Sequence, residues 1–362
     1  MILTFVFLTI FAFLISFSVV PVTIKLAKKF KLVDNIKNRP HPAHTHRGII
    51  PRAGGIPIFL GILLPIIFFL KINTPMAGIL AGSLVLVLTG LWDDRHDRSP
   101  YIRFILNCLA AVLVIISGVS IPYVTNPFGG IILFDAFKIP ISFFGTEYIL
   151  TPSYLLALIW IVWMTNIIGW SGGVDGQLPG FVSISAVVIG LLSLRYVADP
   201  NQYFVSALSF ITAGAFLGFL PWNFYPQKIM PGYGGKTLAG FLLSVLAILS
   251  YSKFGTALLV LAVPMTDAAF IFGRRILSGA SPVKASYGHL HHHLLSLGWG
   301  KRRIAVFYWG ISLMAGLLAL NLSPKQKLFA VLLIVIIIFS FIIWVNFLRR
   351  LPEKMQNGSS DY

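Results

Sequence analysis

The chain has 362 residues, 57% hydrophobic and 11% charged, with a mean hydropathy of +0.86. Soluble domains carry about 25% charged residues, so this composition excludes a water-soluble globule and points to lipid as the solvent. The single cysteine, Cys108, excludes a disulfide framework or a cysteine metal site, and the formal charge of +17 reads as membrane topology before nucleic-acid binding.

Apolar runs long enough to cross a bilayer begin near Ile2, Ala53, Met76, Ile102, Thr151, Leu178, Tyr203, Thr237, Gly255, Ile304 and Leu328. They predict an all-α polytopic membrane protein with eleven transmembrane helices, or ten if a short run does not cross. The first run lacks a basic start and a small-residue cleavage site, and its positive charge follows it, unlike a cleaved signal peptide. If residues 28–52 are cytosolic, alternation places 22 of the 28 Lys and Arg on that side; Lys71, Lys138, Arg195, Lys253, Lys325 and Lys327 remain outside. This predicts an outside N-terminus and a cytosolic C-terminus. Residues 1–350 read as one membrane domain and 351–362 as a polar, disordered tail. Within 121–150, the stretch GGIILFDAFKIPIS reads as a hairpin or re-entrant element. No repeat of fixed period is visible, which argues against an inverted-repeat transporter.

All eight histidines fall on the predicted cytosolic side, with Asp93, Asp94, Asp97 and Asp175; Asp267 lies near the cytosolic end of the ninth span. Acidic groups near membrane depth are costly and mark sites. In chain order, RPHPAHTHRGIIPRAGG (39–55) is a basic loop. It is either an anchor on acidic headgroups or a landing loop for an anionic substrate, with Arg47 and Arg52 as donors. In GLWDDRHDRSP (90–100), adjacent carboxylates can hold a divalent cation or take a proton from an oxygen nucleophile. Alternatively, they form a solvated turn neutralised by Arg95 and Arg98. TNIIGWSGGVDGQLPG (165–180) offers glycine N–H groups to a ligand, with Asp175 its only charge.

MPGYGGKTLAGF (230–241) misses the P-loop pattern at one residue, since Met230 stands where its first glycine is required. It is an anion nest at a helix start, with Lys236 as a point charge, or a tight turn with a snorkelling lysine. GHLHHHLLSLG (288–298) places His289, His291, His292 and His293 within five residues, beside Arg274, Arg275 and Lys301 to Arg303. Such histidines bind a metal when neutral or donate to phosphate.

Taken in order, these motifs resemble the polyprenyl-phosphate N-acetylhexosamine-1-phosphate transferases, the glycosyltransferase family 4 proteins. These include phospho-N-acetylmuramoyl-pentapeptide translocase and the enzymes that load N-acetylglucosamine-1-phosphate onto undecaprenyl phosphate. The resemblance covers about residues 1–345 and rests on IPRAGG (50–55), Asp93, Asp94 and Asp97, Asn166, Asn223 in FLPWNFYP, GRRILSGASP (273–282) and GHLHHHLLSLG. It implies attack by a membrane polyprenyl phosphate on the β-phosphate of a UDP-sugar, with UMP leaving, at the cytosolic face of the cell membrane in cell-envelope polysaccharide or peptidoglycan synthesis.

It further implies magnesium held by Asp93, Asp94 and Asp175, which are also the catalytic candidates. Substrate contacts would come from Arg47, Arg52, Asn166, Asn223, Lys236, His289, His291 and His292. The implied partners are the lipid phosphate, the UDP-sugar and the membrane, without nucleic acid, and the family allows a homodimer.

The sequence departs from this family where its second motif has Asn-x-x-Asn-x-x-Asp-Gly-x-Asp-Gly. Asn166, Asp175 and Gly176 stand, but Gly169 and Gly172 replace the second Asn and the first Asp. Where the family has Gly-Asp-Ser-Gly-Ser, this chain has Gly232, Tyr233, Gly234, Gly235 and Lys236. The replaced aspartate is a magnesium ligand in the family. The local change is about three charge units toward positive. Three readings stay open at this level: a transferase, a non-catalytic relative that binds lipid phosphate or nucleotide-sugar, and a lipid-phosphate or anion transporter.

Overall fold

The computed structural model describes residues 1–35, 48–143, 146–250, 253–279 and 288–357. Lipid offers no partner to a bare backbone N–H or C=O, so an apolar run must close its hydrogen bonds within itself as a helix. Each of the eleven runs does so. They form α1 (Ile2–Lys29), α2 (Gly55–Phe69), α3 (Thr74–His96), α4 (Pro100–Ile116), α5 (Pro152–Ser171), α6 (Gln177–Leu194), α7 (Pro200–Asn223), α8 (Gly232–Leu249), α9 (Lys253–Val260) with α10 (Ala262–Leu277), and then α12 (Lys301–Asn321) and α13 (Pro324–Asn357). The short α11 (Leu290–Ser296) carries the histidines.

Among the described residues, eight helices are long and apolar enough to cross a membrane singly. The α9–α10 pair is long and apolar enough only when taken together, and is bent by 83° at its break, the geometry of a broken span or a re-entrant loop. Pro264 in the first turn of α10 supplies no N–H to continue the ladder from α9. The remaining two, α2 and α4, have 15 and 17 residues; at 1.5 Å per residue they fall short of a 30 Å hydrocarbon layer. The chain is a multi-pass membrane protein. α13 runs on to Asn357, into the segment expected as a disordered tail.

Local signals set the helix starts. Asn73 Oδ1 accepts from Met76 N at 3.0 Å, Ser99 Oγ from Ile102 N at 3.4 Å and Asp199 Oδ1 from Asn201 N at 2.8 Å; each is followed by proline in the first turn. The polar connections form antiparallel pairs: β1 (Val33–Asn35) with β2 (Ile49–Pro51), β3 (Tyr123–Thr125) with β4 (Ile131–Leu133), and β5 (Ile139–Phe143) with β6 (Thr146–Leu150). The stretch GGIILFDAFKIPIS, expected as a hairpin or re-entrant element, does not pair with itself: its strands β4 and β5 pair with β3 before it and β6 after it.

α8 is the centre of the bundle. Fifteen of its 18 residues are buried, and it packs against α2, α3, α5, α6, α7 and α9. α1, by contrast, leaves Leu3, Phe7, Ile10 and Leu14 exposed, as a lipid-facing helix should. Between helices, small residues let backbones close up. Gly90 of α3 lies against the backbone of Gly234 in α8, where a Cβ would collide. Gly90→Val is therefore expected to destabilise the protein by about 1–3 kcal/mol or more by overpacking; a lowered unfolding temperature in detergent checks it.

Candidate active site

The last turn of α3 carries Asp93 and Asp94, both buried. A helix C-terminus bears partial negative charge, so two carboxylates there run against local electrostatics and need cations from elsewhere in the fold. Asp94 receives Arg52 Nε at 3.0 Å and the backbone N–H of Tyr233 at 3.1 and 3.2 Å to its two oxygens. Arg52 is also 3.8 Å from Asp34. Burial opposes the charged Arg52 guanidinium, but Asp94, Asp34 and Asp93 outweigh it and raise its pKa above the ordinary arginine value.

Asp93 is held differently. Its Oδ1 is 2.7 Å from Arg103 Nε and accepts from Arg98 N at 2.9 Å, whereas its buried Oδ2 has no hydrogen-bond partner. Arg103 also donates to Asp97 at 3.1 Å and lies 5.4 Å from the centre of the Tyr233 ring.

The glycine-rich stretch at 230–236 is the start of α8, and its glycines serve packing. Gly232, at φ +67°, faces Asp94, and a Cβ there would strike that carboxylate. The anion on this helix N-terminus is the chain's own Asp94, bound by Tyr233 N. One turn later comes Lys236, for which the described residues supply no hydrogen bond or ion pair. Beside it, on α5, Gly169 leaves space: a Cβ at 169 would have the Lys236 Cβ, at 3.9 Å, as its one neighbour within 4 Å. The Tyr233 hydroxyl is 3.1 Å from Asn107 Nδ2, which in turn lies 3.4 Å from Asn166 Oδ1.

A second cluster closes the loops beside α6. Asp175 accepts from Lys301 Nζ at 3.1 Å and from Gln227 Nε2 and N at 3.0 and 3.3 Å. Asn223 Oδ1 accepts from Gly176 N at 3.1 Å, and its Nδ2 donates to Gln227 Oε1 and Ile229 O at 3.0 and 2.9 Å.

In the histidine segment, Asp267 takes two bonds, from Leu290 N at 2.7 Å and from His289 Nδ1 at 3.0 Å. A carboxylate only accepts, so His289 carries its proton on Nδ1 toward Asp267. His291 stacks on His289 at 5.6 Å between ring centres, and its imidazole fills the space left by the absent side chain of Gly173. Burial, reinforced by His292, His289, Lys236 and His293, holds the His291 pKa well below the ordinary histidine value. His291 is therefore neutral at physiological pH, with one donor and one acceptor. Asp267→Asn is expected to lower substrate turnover about 10- to 100-fold by freeing the His289 ring, the worth of a charged hydrogen bond, with the unfolding temperature little changed.

The structure thus brings Asp93, Asp94, Arg52, Asn166 and Lys236 to the facing ends of α3, α5 and α8, with His291 in electrostatic range of Lys236. Asp175 and Asn223 are tied into the neighbouring loops. Arg47 lies outside the described residues. Sequence reasoning passed over Arg103, Asn107 and Gln227, and grouped Lys301 with the histidines where the structure pairs it with Asp175; of the three missed, Asn107 carried a signal, as a fully buried amide inside an apolar helix.

The site carboxylates are not gathered into a ligand set for a divalent ion. Hard cations take six or more oxygen ligands. Among the described residues, no group of three His, Cys, Asp or Glu side chains is placed to hold a metal. Asp94 spends both oxygens on Arg52 and Tyr233 N, Asp175 is paired with Lys301, and Asp93 with Arg103. The expectation that Asp93, Asp94 and Asp175 form one magnesium ligand set is not met by this geometry.

The profile of the glycosyl transferase family 4 matches residues 76–251, which hold α3 to α8 and with them Asp93, Asp94, Asp175 and Lys236. Curated relatives match along nearly all of the chain. A "probable undecaprenyl-phosphate N-acetylglucosaminyl 1-phosphate transferase" of Bacillus subtilis is 26% identical over 97% of this chain and 95% of its own length. A decaprenyl-phosphate N-acetylglucosaminephosphotransferase of Mycobacterium leprae is 29% identical over 86% and 83%. An undecaprenyl-phosphate alpha-N-acetylglucosaminyl 1-phosphate transferase of Yersinia pestis is 26% identical over 97% and 96%. The chain is similar to glycosyl transferase family 4 in its central helices and to these transferases along most of its length.

Two of the positions at which the sequence departs from that family's pattern, Gly169 and Lys236, are neighbours in space. Gly169 opens room along Lys236, and Tyr233, one turn before it, is engaged by Asn107 and Arg103.

Proposed function

We propose that the chain transfers N-acetylhexosamine-1-phosphate, with N-acetylglucosamine as the sugar, from a UDP-sugar to a polyprenyl phosphate. The observation that carries this is the buried carboxylate–cation array where α3 meets α8, in a chain aligned almost end to end with relatives named for that transfer. Residues 1–350 act as one membrane transferase domain. The excess of Lys and Arg on one side supports a site that faces the cytosol, where nucleotide-sugars are made.

Phosphoryl transfer asks for alignment and charge neutralisation more than for covalent help from protein. An oxygen of the lipid phosphate attacks the β-phosphorus. One P–O bond forms, the bond from that phosphorus to the oxygen bridging to the α-phosphate breaks, and UMP leaves with the electron pair. A lipid phosphate that arrives as the monoanion gives its proton to Asp93, whose Oδ2 lacks a partner. Asp94 holds Arg52 and the start of α8 in place. Lys236, Arg52 and the histidines face the anionic donor. An apolar groove of about 330 Å³ between α3 and α4, lined by Val85, Leu88, Thr89, Trp92, Leu106 and Leu109, reaches the residue before Asp93 and suits the first prenyl units.

The test is UMP release by purified protein with undecaprenyl phosphate and UDP-N-acetylglucosamine, UDP-N-acetylgalactosamine or UDP-N-acetylmuramoyl-pentapeptide. Lipid-dependent release with UDP-N-acetylglucosamine is expected. Folded protein that binds these nucleotides and releases no UMP from any of them would favour a non-catalytic relative.

A further inference from the structure

The three site carboxylates each own a cation: Asp94 has Arg52 at 3.0 Å, Asp93 has Arg103 at 2.7 Å and Asp175 has Lys301 at 3.1 Å. Lys236 is the cation left over. Its ammonium sits at the N-terminal turn of the most buried helix, and the described residues place no carboxylate within ion-pair distance of it. Lys236 is half-buried there, and Gly169 leaves room along it, since a Cβ at 169 would meet only the Lys236 Cβ, at 3.9 Å. The neighbouring helix N–H that would favour an anion is already taken by Asp94. The one cation at the site without a carboxylate partner is therefore this side chain, while Asp93, Asp94 and Asp175 are each paired with another protein cation, and of their oxygens only Asp93 Oδ2 lacks a hydrogen-bond partner.

We propose that Lys236 is the charge partner of the donor's diphosphate in this chain, in place of a divalent cation, with Tyr233 filling the volume beside it. Resting on the transferase reading above, this predicts that nucleotide-sugar binds, and sugar phosphate is transferred, without metal. Lysine serves here as a fixed point charge: it neutralises the diphosphate as the β-phosphorus is attacked and the negative charge building on departing UMP.

The experiment measures UDP-N-acetylglucosamine binding to the purified full chain in detergent, by calorimetry and by ligand-induced shift of the unfolding temperature. It is run in excess chelator and in millimolar magnesium. The wild-type Kd is expected to be the same in both. Lys236→Met is expected to weaken binding about 10- to 100-fold, the worth of a charge-assisted hydrogen bond, and Lys236→Arg to keep most of it. Tyr233→Asp combined with Lys236→Ser is expected to bind only with magnesium.

Wild-type binding that disappears in chelator and returns with magnesium would overturn the proposal, as would Lys236→Met binding like wild type. Should Lys236→Met fail to fold, the wild-type chelator comparison and Lys236→Arg still decide. UMP release is read in parallel. Chelator-resistant binding without release sinks the transferase reading and leaves the lysine site standing; release that requires magnesium does the reverse.

Discussion

Asp94→Ala is expected to destabilise the protein by about 3–5 kcal/mol, the largest stability loss of any single change at the site. Asp94 is 2% exposed and joins three parts of the fold: α3 through its own backbone, the loop before α2 through Arg52, and α8 through Tyr233 N. Removing the carboxylate leaves the Arg52 guanidinium with Asp34 at 3.8 Å as its nearest acid and strips the start of α8 of its acceptor. Uncompensated charge in a poorly solvated place is what makes such deletions costly. The double variant Arg52→Ala/Asp94→Ala should recover part of the loss, because the stranded charge is gone. Thermal unfolding in detergent measures both. A loss under about 1 kcal/mol for Asp94→Ala would show that the clamp is not structural.

Asp93→Asn is expected to do the opposite: to leave the fold nearly intact and lower UMP release about 10²- to 10⁴-fold, the range for a positioned proton acceptor. Asparagine keeps an oxygen for Arg98 N but loses the basic Oδ2. The defect should be largest at low pH, where more of the lipid phosphate arrives as the monoanion and needs a base, and should shrink as pH rises and the dianion attacks unaided. A defect of equal size at every pH, with donor binding weakened in parallel, would assign Asp93 to donor binding instead. Release within threefold of wild type would remove it from the chemistry.

The helices were legible in the sequence because lipid leaves an apolar run one way to satisfy its backbone. All eleven runs became helix, and the turn chemistry of 121–150 became paired strands. The break between α9 and α10 also had a signal, Pro264, but an apolar run of that length reads as one span until the bend is seen. At the site, residue types were legible and roles were not. Asp93 and Asp94 are adjacent and chemically identical; what separates them is Arg52, 42 positions away, and Tyr233, 139 positions away.

The glycines of 232–235 looked like a cradle for a ligand because spacing cannot distinguish a ligand's approach from a helix's. The neighbour proved to be α3, through Gly90. Asp175, a metal candidate by motif, is paired with Lys301, a partner 126 residues on. Asp267, which motif order could not place, is the orienting partner of His289.

The most direct measurement uses UDP-N-acetylglucosamine carrying radioactive phosphorus in its β-phosphate only, incubated with purified chain and undecaprenyl phosphate. The account predicts that the label moves into the lipid phase in step with UMP release, as a sugar diphosphate lipid. Label that remains water-soluble, with folded and nucleotide-binding protein present, would contradict it.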